Sequence, residues 1–124
     1  HITEQHFHID EDLFFRVLFN LIRNAHAAGA ETVEFSQFTK GDFFYITIED
    51  DGRGIDDAMR DKIFQPFVSR NTKKGLGLGL PIARELMQVM EGDLYLAPQN
   101  HPTRLKGACF FLSIKKQPTQ EDIP

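Results

Sequence analysis

Residues 42–55 read DFFYITIEDDGRGI, an alternating segment that runs directly into an acidic, glycine-containing turn. Every second side chain of a strand lies on the same face, so the apolar row from Phe44 to Ile48 ends in the carboxylate of Asp50. Such a carboxylate either has a raised pKa or finds hydrogen-bond donors, and the amine of a purine with an ordered water would provide them. A plain Asp-Gly turn is the alternative interpretation.

Two glycines and a second alternating segment flank this row. Gly52 and Gly54 remove side chains where a flat ring could approach the backbone closely. On the other side, residues 32–38 (TVEFSQF) also alternate, and the Lys40-Gly41 pair between the two segments is typical of a hairpin turn. The sequence therefore predicts two antiparallel strands, the second of which ends in the acidic turn.

The rest of the chain predicts the other elements of a single α+β domain. In chain order these are a strand at 5–9, a helix from about 10 to 28, a short helix at 57–63, an irregular loop at 65–76, a helix at 78–91 and strands at 93–97 and 108–115. On the second long helix, we expect Ile82, Leu86 and Val89 with Met90 to form the buried face. The predicted architecture is a two-layer sandwich with helices on one face of a mixed, mainly antiparallel sheet.

Composition limits the class of protein. A chain of 124 residues with 41% hydrophobic residues folds as one domain, and a net charge of −4 disfavours nucleic-acid binding. No apolar run has the length of a membrane span, and the opening HITEQHFHID lacks the blocks of a signal peptide. We therefore expect a cytoplasmic, monomeric domain without direct membrane contact, cut from a longer protein because it begins with His1. The single cysteine, Cys109, is expected in the core.

The first long helix carries two asparagines on its apolar side. Asn20 and Asn24 lie one turn apart within the stripe that faces the core. Burying two amides costs on the order of 1 to 3 kcal/mol each unless a partner satisfies them. An amide oxygen suits Mg²⁺, which is held by one or two protein oxygens together with phosphates. A structural hydrogen-bond network is the alternative.

Residues 75–80 read GLGLGL and lead directly into the predicted second long helix. Glycine amides and the positive end of a helix favour phosphate. The pattern is neither the dinucleotide motif G-x-G-x-x-G nor a Walker loop, which needs Gly-Lys-Ser/Thr. Arg70, Lys73 and Lys74, just before it, could pair with phosphate oxygens. A hinge beside a solvated basic segment is the alternative.

Four motifs in a fixed order resemble those of the GHKL superfamily. NLIRNAHAAGA (20–30), DDGRGI (50–55), IFQPF (63–67) and GLGLGL (75–80) resemble its N, G1, F and G2 boxes. This superfamily includes sensor histidine kinases, type II topoisomerases, mismatch-repair ATPases and the ninety-kilodalton heat-shock chaperones, all with the Bergerat ATP-binding fold. The resemblance covers about residues 7–115 and implies that the chain binds ATP with Mg²⁺.

The resemblance also implies roles for individual residues. Asn24 would chelate Mg²⁺ and Asn20 would assist the metal shell, as the two catalytic residues, and Asp50 would bind the adenine amine. Residues 65–76 would form the ATP lid, with Phe64 and Phe67 as its apolar anchor. The implied nucleotide-binding residues are Asp50, Gly52, Gly54, Ile55, Phe67, Ser69, Arg70, Lys73, Lys74, Gly75, Leu76, Gly77, Leu78 and Gly79.

Asn20 distinguishes the branches of the superfamily. In the hydrolysing members a glutamate here activates water, whereas an amide has no useful basicity near pH 7, and asparagine is characteristic of the histidine kinases. The short lid and the F box favour the same branch. Residues 1–116 therefore resemble the catalytic ATP-binding domain of a sensor histidine kinase, and 117–124 a polar tail or linker.

Two positions depart from the kinase pattern. Ala27 stands where many of these kinases have a phosphate-contacting lysine, and Pro81 stands where a small residue is frequent. Pro81 is compatible with a helix because it falls in the first turn. The missing lysine puts the phosphate contact in doubt, so Lys73, Lys74 or Arg70 would have to replace it.

The resemblance implies two protein partners. The γ-phosphate would pass to a histidine in a separate dimerisation and phosphotransfer domain of the same parent kinase, and then to the receiver domain of a response regulator. None of the five histidines in this sequence lies in the acceptor motif of that family, and we expect all five at the surface. Phe15 and Phe19, one turn apart, could form a docking surface, although cover by the domain's own loops is the commoner case. Whether the parent is membrane-anchored stays open.

Three other functions compete with this interpretation. A GHKL ATPase or conformational clamp would show steady ATP hydrolysis, and an anti-sigma-type serine kinase would phosphorylate a serine without any dimerisation domain. A non-catalytic binding module is the third, and the presence of Asn24, Asp50 and the glycines of 75–80 argues against it.

Overall fold

The computed structural model describes residues 9–68 and 78–116. The described elements are α1 (Glu11–Ala27), β1 (Val33–Lys40), β2 (Phe43–Asp50), a 3₁₀ turn (Asp57–Met59), α2 (Gly79–Val89), β3 (Gly92–Leu96) and β4 (Cys109–Lys115). The two long helices and these four strands confirm the predicted order. Of the predicted strand at 5–9, only Ile9 is described, and the tail at 117–124 lies outside the described residues.

Helix α1 begins and ends where its sequence predicts. The carboxylate of Asp10 caps the helix, since it accepts hydrogen bonds from the amides of Asp12 at 3.0 Å and Leu13 at 3.2 Å. The chain leaves the helix through Gly29, whose φ of +84° favours glycine. Among the helices of the described ranges, none combines the length and apolarity that crossing a membrane requires.

The strands in the described ranges form one sheet in the order β1-β2-β4-β3. All three pairings between them are antiparallel, with Val33 opposite Asp50 and Glu49 opposite Cys109. This register brings the end of β2 and the start of β4 together at one edge of the sheet. The acidic turn after β2 is therefore next to the loop that leads into β4.

The core lies between the helices and one face of the sheet. The sheet contributes mainly Ile48, Leu94, Phe110, Leu112 and Ile114, and the helices contribute Val17, Leu21, Leu80, Ala83 and Met87. The alternation of β2 is confirmed, because Phe44 and Ile46 pack against this core beside Ile48.

The predicted buried face of α2 is wrong in part. Ile82 is 43% exposed and Val89 is 67% exposed, whereas Leu86 and Met90 are half-buried. The fully buried residues are Leu80, Ala83 and Met87, a second apolar row on the same helix. Helix α2 has apolar side chains on more than one face, and packing against both α1 and β3 selects the row with the small Ala83.

The short helix predicted at 57–63 is also wrong in extent. The chain makes a single 3₁₀ turn at Asp57–Met59 and then continues in turns. Its amides bond the carbonyl three residues back, as from Arg60 to Asp57 and from Lys62 to Met59, so no α-helical ladder forms.

The other face of the sheet carries a second, smaller cluster. Cys109, predicted in the core, is buried here with Ala97 and Phe111. Burial, followed by the negative charges of Glu49 and Asp50, raises the pKa of the Cys109 thiol to about 11, so it stays protonated at neutral pH. His101, expected at the surface, is half-buried with its ring edge-on to Phe111.

Candidate functional site

The carboxylate of Asp50 is enclosed where β2 meets β4. Asp50 is 2% exposed, and its Oδ1 atom accepts hydrogen bonds from the amides of Gly52 at 2.9 Å and Ala108 at 3.1 Å. Its backbone is also paired, since its amide donates to the Ala108 carbonyl at 2.9 Å and its carbonyl accepts from Gly107 at 2.8 Å. Backbone donors offset the cost of burying a charged group, so Asp50 is held in a fixed orientation.

Gly107 is an essential part of this arrangement and was not among the predicted site residues. A Cβ atom at Gly107 would lie 2.7 Å from the nitrogen of Gly52 and closer still to two oxygens of Asp50. No side chain fits there without moving the backbone. A glycine directly before the apolar strand ACFFLSI is the sequence signal that could have indicated a close approach.

The glycines of the acidic turn pack it against α1. A Cβ atom at Gly52 would lie 2.8 Å from the carbonyl oxygen of Ala28, and the amide of Arg53 donates to that same oxygen at 3.0 Å. Gly54 has a φ of +77°, which favours glycine. Gly52 thus allows the turn to touch the end of α1, and a role for either glycine in contacting a ring remains a prediction.

Asp51 has a structural role that the sequence did not indicate. Its Oδ1 atom accepts hydrogen bonds from the amides of Glu31 at 2.8 Å and Thr32 at 2.9 Å. These bonds, that from Thr32 above all, lower the pKa of Asp51 from its ordinary value. The turn is therefore tied to the connection between α1 and β1 by Asp51 and to β4 by Asp50.

Asn24 and Asn20 lie on α1 in line with this turn. Residues four apart share a side of a helix, so Ala28, which touches Gly52, is followed by Asn24 and then Asn20 in a row leading away from Asp50. Both asparagines are half-buried rather than enclosed in the apolar stripe, where the buried residues are Val17, Leu21 and Ala25. The amide nitrogen of Asn24 is itself buried.

An apolar groove begins at Asn20. It has a volume of about 370 Å³ and is lined by Phe15, Arg16, Phe19, Asn20, Ile82 and Leu86. Phe15 is 68% exposed and Phe19 is 51% exposed, and their rings stack with centroids 6.4 Å apart. The described loops of the domain leave these two rings uncovered, contrary to the commoner case for such residues.

The predicted lid falls largely outside the described residues. The predicted nucleotide-binding residues outside the described ranges are Ser69, Arg70, Lys73, Lys74, Gly75 and Leu76 of the lid, and Gly77 directly after it. Leu78 directly precedes α2 and Gly79 is its first residue. Pro81 lies in the first turn of α2, as predicted, where the helix is closed by a bond from the Ile82 amide to the Leu78 carbonyl at 3.0 Å.

The two phenylalanines predicted to anchor the lid differ in their surroundings. Phe64 packs on the core edge-to-face with Phe110, at a centroid distance of 6.3 Å, and the guanidinium of Arg84 lies 5.0 Å above its ring. Phe67 is 73% exposed and has a φ of +67°. The turn after Pro66 leaves this ring outside the core, and its role as an anchor of the lid stays a prediction because residues 69–76 lie outside the described ranges. Ile55 is half-buried against the core.

The chemistry of these side chains limits the kind of metal site. Among residues 9–68 and 78–116, no group of three or more histidine, cysteine, aspartate or glutamate side chains could hold a metal ion. The half-buried amide of Asn24 can supply one neutral oxygen. Mg²⁺ accepts one protein oxygen when phosphates and waters provide the rest, so the residues present fit that ion bound together with a phosphate ligand.

Comparison with known proteins assigns the chain to a family. The family described as histidine kinase-, DNA gyrase B- and HSP90-like ATPase matches residues 9–118. The autoinducer 2 sensor kinase/phosphatase LuxQ of Vibrio vulnificus is 35% identical over 119 residues, which cover 86% of this chain and 13% of LuxQ. The tetrathionate sensor histidine kinase TtrS of Salmonella typhimurium is 36% identical over 92 residues, covering 74% of this chain and 15% of TtrS.

Solved structures show the same fold. The catalytic domain of the histidine kinase ThkA superimposes on 88% of this chain and 71% of its own length, with a TM-score of 0.68 and 28% identity. The curated relatives are sensor kinases, of which this chain spans about 13% to 15%. The chain belongs to the family of histidine kinase-, DNA gyrase B- and HSP90-like ATPases, and it has the fold of histidine kinase catalytic domains.

Proposed function

We propose that this chain is the ATP-binding catalytic domain of a sensor histidine kinase, which passes the γ-phosphate of ATP to a histidine on another domain of its parent protein. The observation that carries the proposal is the buried carboxylate of Asp50, oriented by the amides of Gly52 and Ala108 and lying in line with Asn24 and Asn20 on α1. These polar groups would therefore bind the base at one end, through the Asp50 carboxylate, and a metal ion at the other end, through the asparagine amides.

At the base end, Asp50 would accept a hydrogen bond from the adenine amine. The turn that holds it is fixed on two sides, by Asp50 to β4 and by Asp51 to the segment after α1. A charged acceptor that is already oriented gains affinity because little ordering is left to be done on binding. Gly54 and Ile55, which follow in the same turn, would line the base.

At the phosphate end, Asn24 would hold Mg²⁺ and Asn20 would support its shell. When bound there, Mg²⁺ would supply positive charge against the phosphates. The contribution of the chain itself is positioning, because neither amide can accept a proton at neutral pH. Proton removal from the acceptor is then left to the partner domain, a division of labour that suits a kinase better than a hydrolase.

The remaining phosphate contacts are assigned to the lid. We place the lid at 65–76 and propose that Ser69, Arg70, Lys73 and Lys74, with the glycines of 75–80, surround the triphosphate. Phe64 fixes the start of this segment to the core. We further propose that the domain occupies residues 1–116, that 117–124 is a linker, and that the domain works in the cytoplasm.

The groove between α1 and α2 is the proposed docking site of the helical domain that carries the acceptor histidine. The groove shares Asn20 with the phosphate end of the site, so a helix seated on Phe15 and Phe19 would run beside the γ-phosphate. The 370 Å³ volume and exposed aromatic rings suit the apolar side of an amphipathic helix. From that histidine the phosphate would pass to a response-regulator receiver domain.

The direct test is phosphoryl transfer in the parent protein. Labelled ATP should place its γ-phosphate on a histidine, giving a phosphoprotein that is labile in acid and stable in base, and a parent with Asp50→Asn should be much slower. Asp56→Asn, an exposed acid whose side chain makes no capping bond, is the matched control. An acid-stable phosphoserine would favour the serine-kinase alternative, and steady release of phosphate without a phosphoprotein would favour an ATPase.

A further inference from the structure

Glu49, the neighbour of Asp50, is a buried acid on the opposite face of β2. It is 8% exposed and lies on the outer face of the sheet, away from the helices. Its Oε1 atom accepts a hydrogen bond from the amide of Arg104 at 2.8 Å and a longer one from Leu105 at 3.4 Å. A buried carboxylate needs such donors, so Glu49 holds the loop that leads into β4.

Asp50 holds the same loop from the inner face. Its carboxylate accepts from the amide of Ala108 and its carbonyl from that of Gly107, two to four residues beyond the contact with Glu49. Residues 104–108, the β4 lead segment, are therefore bonded to two consecutive acids whose side chains lie on opposite faces of one strand.

The exposed charge pair beside this contact is secondary. Glu34 lies directly opposite Glu49 on β1, and like charges opposite each other are unfavourable. The side chain of Arg104 pairs with Glu34, which raises the pKa of Arg104 and lowers that of Glu34. The Arg104 side chain is 71% exposed and that of Glu34 is 33% exposed, and an ion pair with such a solvated partner contributes little to stability.

The close packing at Gly107 leaves no space between the β4 lead segment and Asp50, so neither can shift without moving the other. Even a methyl group at Gly107 would overlap the oxygens of Asp50 and approach the Gly52 nitrogen to 2.7 Å. A displacement of the segment by a few tenths of an ångström therefore moves either the Asp50 carboxylate or the amides that orient it. The contact at Glu49 lies at the other end of the same five residues.

We infer that Glu49 is a positioning residue for recognition of the nucleotide base: by fixing residues 104 and 105 on the outer face of the sheet, it sets the Gly107 and Ala108 amides that orient Asp50 on the inner face. This inference rests on the proposed function, in which Asp50 accepts from the adenine amine. Glu49 itself does not touch the nucleotide.

The test compares two nucleotides that differ at the base. ATP carries a donor amine where inosine triphosphate carries a carbonyl oxygen, so the ratio of their dissociation constants reports the Asp50 contact and cancels a general loss of folded protein. Calorimetric titration of the chain would be made with non-hydrolysable analogues of both. The variants are Glu49→Ala, Glu49→Asp, Glu49→Gln and, as the matched control, Arg104→Ala.

We expect Glu49→Ala to weaken binding of the ATP analogue by about 10-fold, the usual value of one charge-assisted hydrogen bond, and to change binding of the inosine analogue by less than about 2-fold. Glu49→Gln, whose amide oxygen can accept from the same two amides, should retain most of the preference for adenine. Arg104→Ala should also retain it, because the backbone amide of residue 104 remains. Glu49→Asp, which is one methylene shorter, should lose about 3-fold, and it serves as the test where Glu49→Ala does not fold.

Three results would overturn the inference. A folded Glu49→Ala or Glu49→Asp variant with the wild-type preference for adenine would show that the outer contact does not reach Asp50. Equal weakening of both nucleotides would show that Glu49 acts on stability alone. A wild-type chain that binds neither analogue would instead refute the proposed function, and the inference with it.

Discussion

The row formed by Ala28, Asn24 and Asn20 along α1 has two ends with different surroundings. At the Ala28 end, a glycine-packed turn is closed by backbone hydrogen bonds to Asp50 and Asp51, and Asp50 is 2% exposed. At the Asn20 end, the row opens into a groove whose rings, Phe15 and Phe19, are more than half exposed. The first end is complete without a partner, whereas the second presents apolar surface that water solvates poorly. In the function proposed above, the closed end would recognise the nucleotide and the open end would recognise the domain that carries the acceptor histidine.

The largest effect is expected at the closed end, from Gly107→Ala. The added methyl must displace Asp50 or Gly52, and overpacking of this kind costs about 1 to 3 kcal/mol in the free energy of unfolding. Because the displaced groups are those that orient Asp50, binding of an ATP analogue should weaken by about 100-fold or more, measured by calorimetry.

Gly41→Ala is the control for that loss. Gly41 lies in the β1–β2 turn with a φ of +60° and open space around it, so alanine there strains the backbone by about 1 to 2 kcal/mol without touching the site. A stability loss with unchanged nucleotide affinity is expected. Equal affinity losses in both variants would contradict a special role for Gly107.

Next in size is Asn24→Ala, which probes the middle of the row. Removal of the amide oxygen should abolish most of the gain in nucleotide affinity that Mg²⁺ provides, a change of about 10-fold, and should leave Mg²⁺-free binding nearly unchanged. Paired titrations with and without Mg²⁺ measure this. Asn100→Ala, at an exposed loop position, should behave as wild type. An unaltered Mg²⁺ dependence in Asn24→Ala would remove Asn24 as the metal ligand.

At the open end, the double variant Phe15→Ser and Phe19→Ser should slow phosphoryl transfer in the parent protein by about 10-fold, because it removes two anchors of the groove. Nucleotide affinity of the isolated chain should stay constant, since neither ring reaches the turn that holds Asp50. Val89→Ser, which is equally exposed but outside the groove, is the control. Unchanged transfer by a folded variant would show that these rings are not anchors for the partner, and loss of transfer together with unfolding of the domain would show that they support the fold instead.

The smallest effect concerns acid stability. Hydrogen bonds, that from the Thr32 amide above all, hold the pKa of Asp51 below its ordinary 3.8 in the folded chain. A lowered folded-state pKa adds stability above the unfolded-state pKa, and this contribution is lost as pH falls through the lowered value. Asp51→Ala should therefore be less stable than wild type at pH 7, with the difference shrinking below about pH 4. Urea unfolding curves across this pH range measure the effect, and Asp56→Ala, at an exposed acid whose side chain makes no capping bond, is the control.

The sequence predicted regular elements well and close packing poorly. Alternation in β2, the Asp10 cap and the position of Pro81 are local signals, and the structure agrees with each. The buried face of α2 depends on which elements the helix packs against. Because α2 has apolar residues on more than one face, the sequence alone predicted the wrong row as buried. The exposure of Phe67 could not be predicted for a related reason, because a turn conformation decides where its ring lies.

The same difference between local signals and long-range packing applies to the residues of the candidate site. Asp50 could be singled out because a carboxylate ends an apolar row within one segment. Gly107 had only the weak signal of a glycine before an apolar strand, and Asp51 and Glu49 had none. The roles of all three come from contacts far along the chain, about 55 residues away for Gly107 and Glu49 and about 20 for Asp51. Long-range backbone pairing of this kind has no periodic signature in a single sequence.

The most direct test of the central claim is calorimetric titration of the chain with a non-hydrolysable ATP analogue, with and without Mg²⁺, for wild type and for Asp50→Asn. Asp51→Asn is the matched control, because its amide oxygen can still accept from Glu31 and Thr32. The account predicts binding that Mg²⁺ strengthens, that Asp50→Asn weakens by about 10-fold to 100-fold, and that Asp51→Asn leaves nearly unchanged. A folded wild-type chain that binds no nucleotide, or an Asp50→Asn variant that binds as well as wild type, would contradict it.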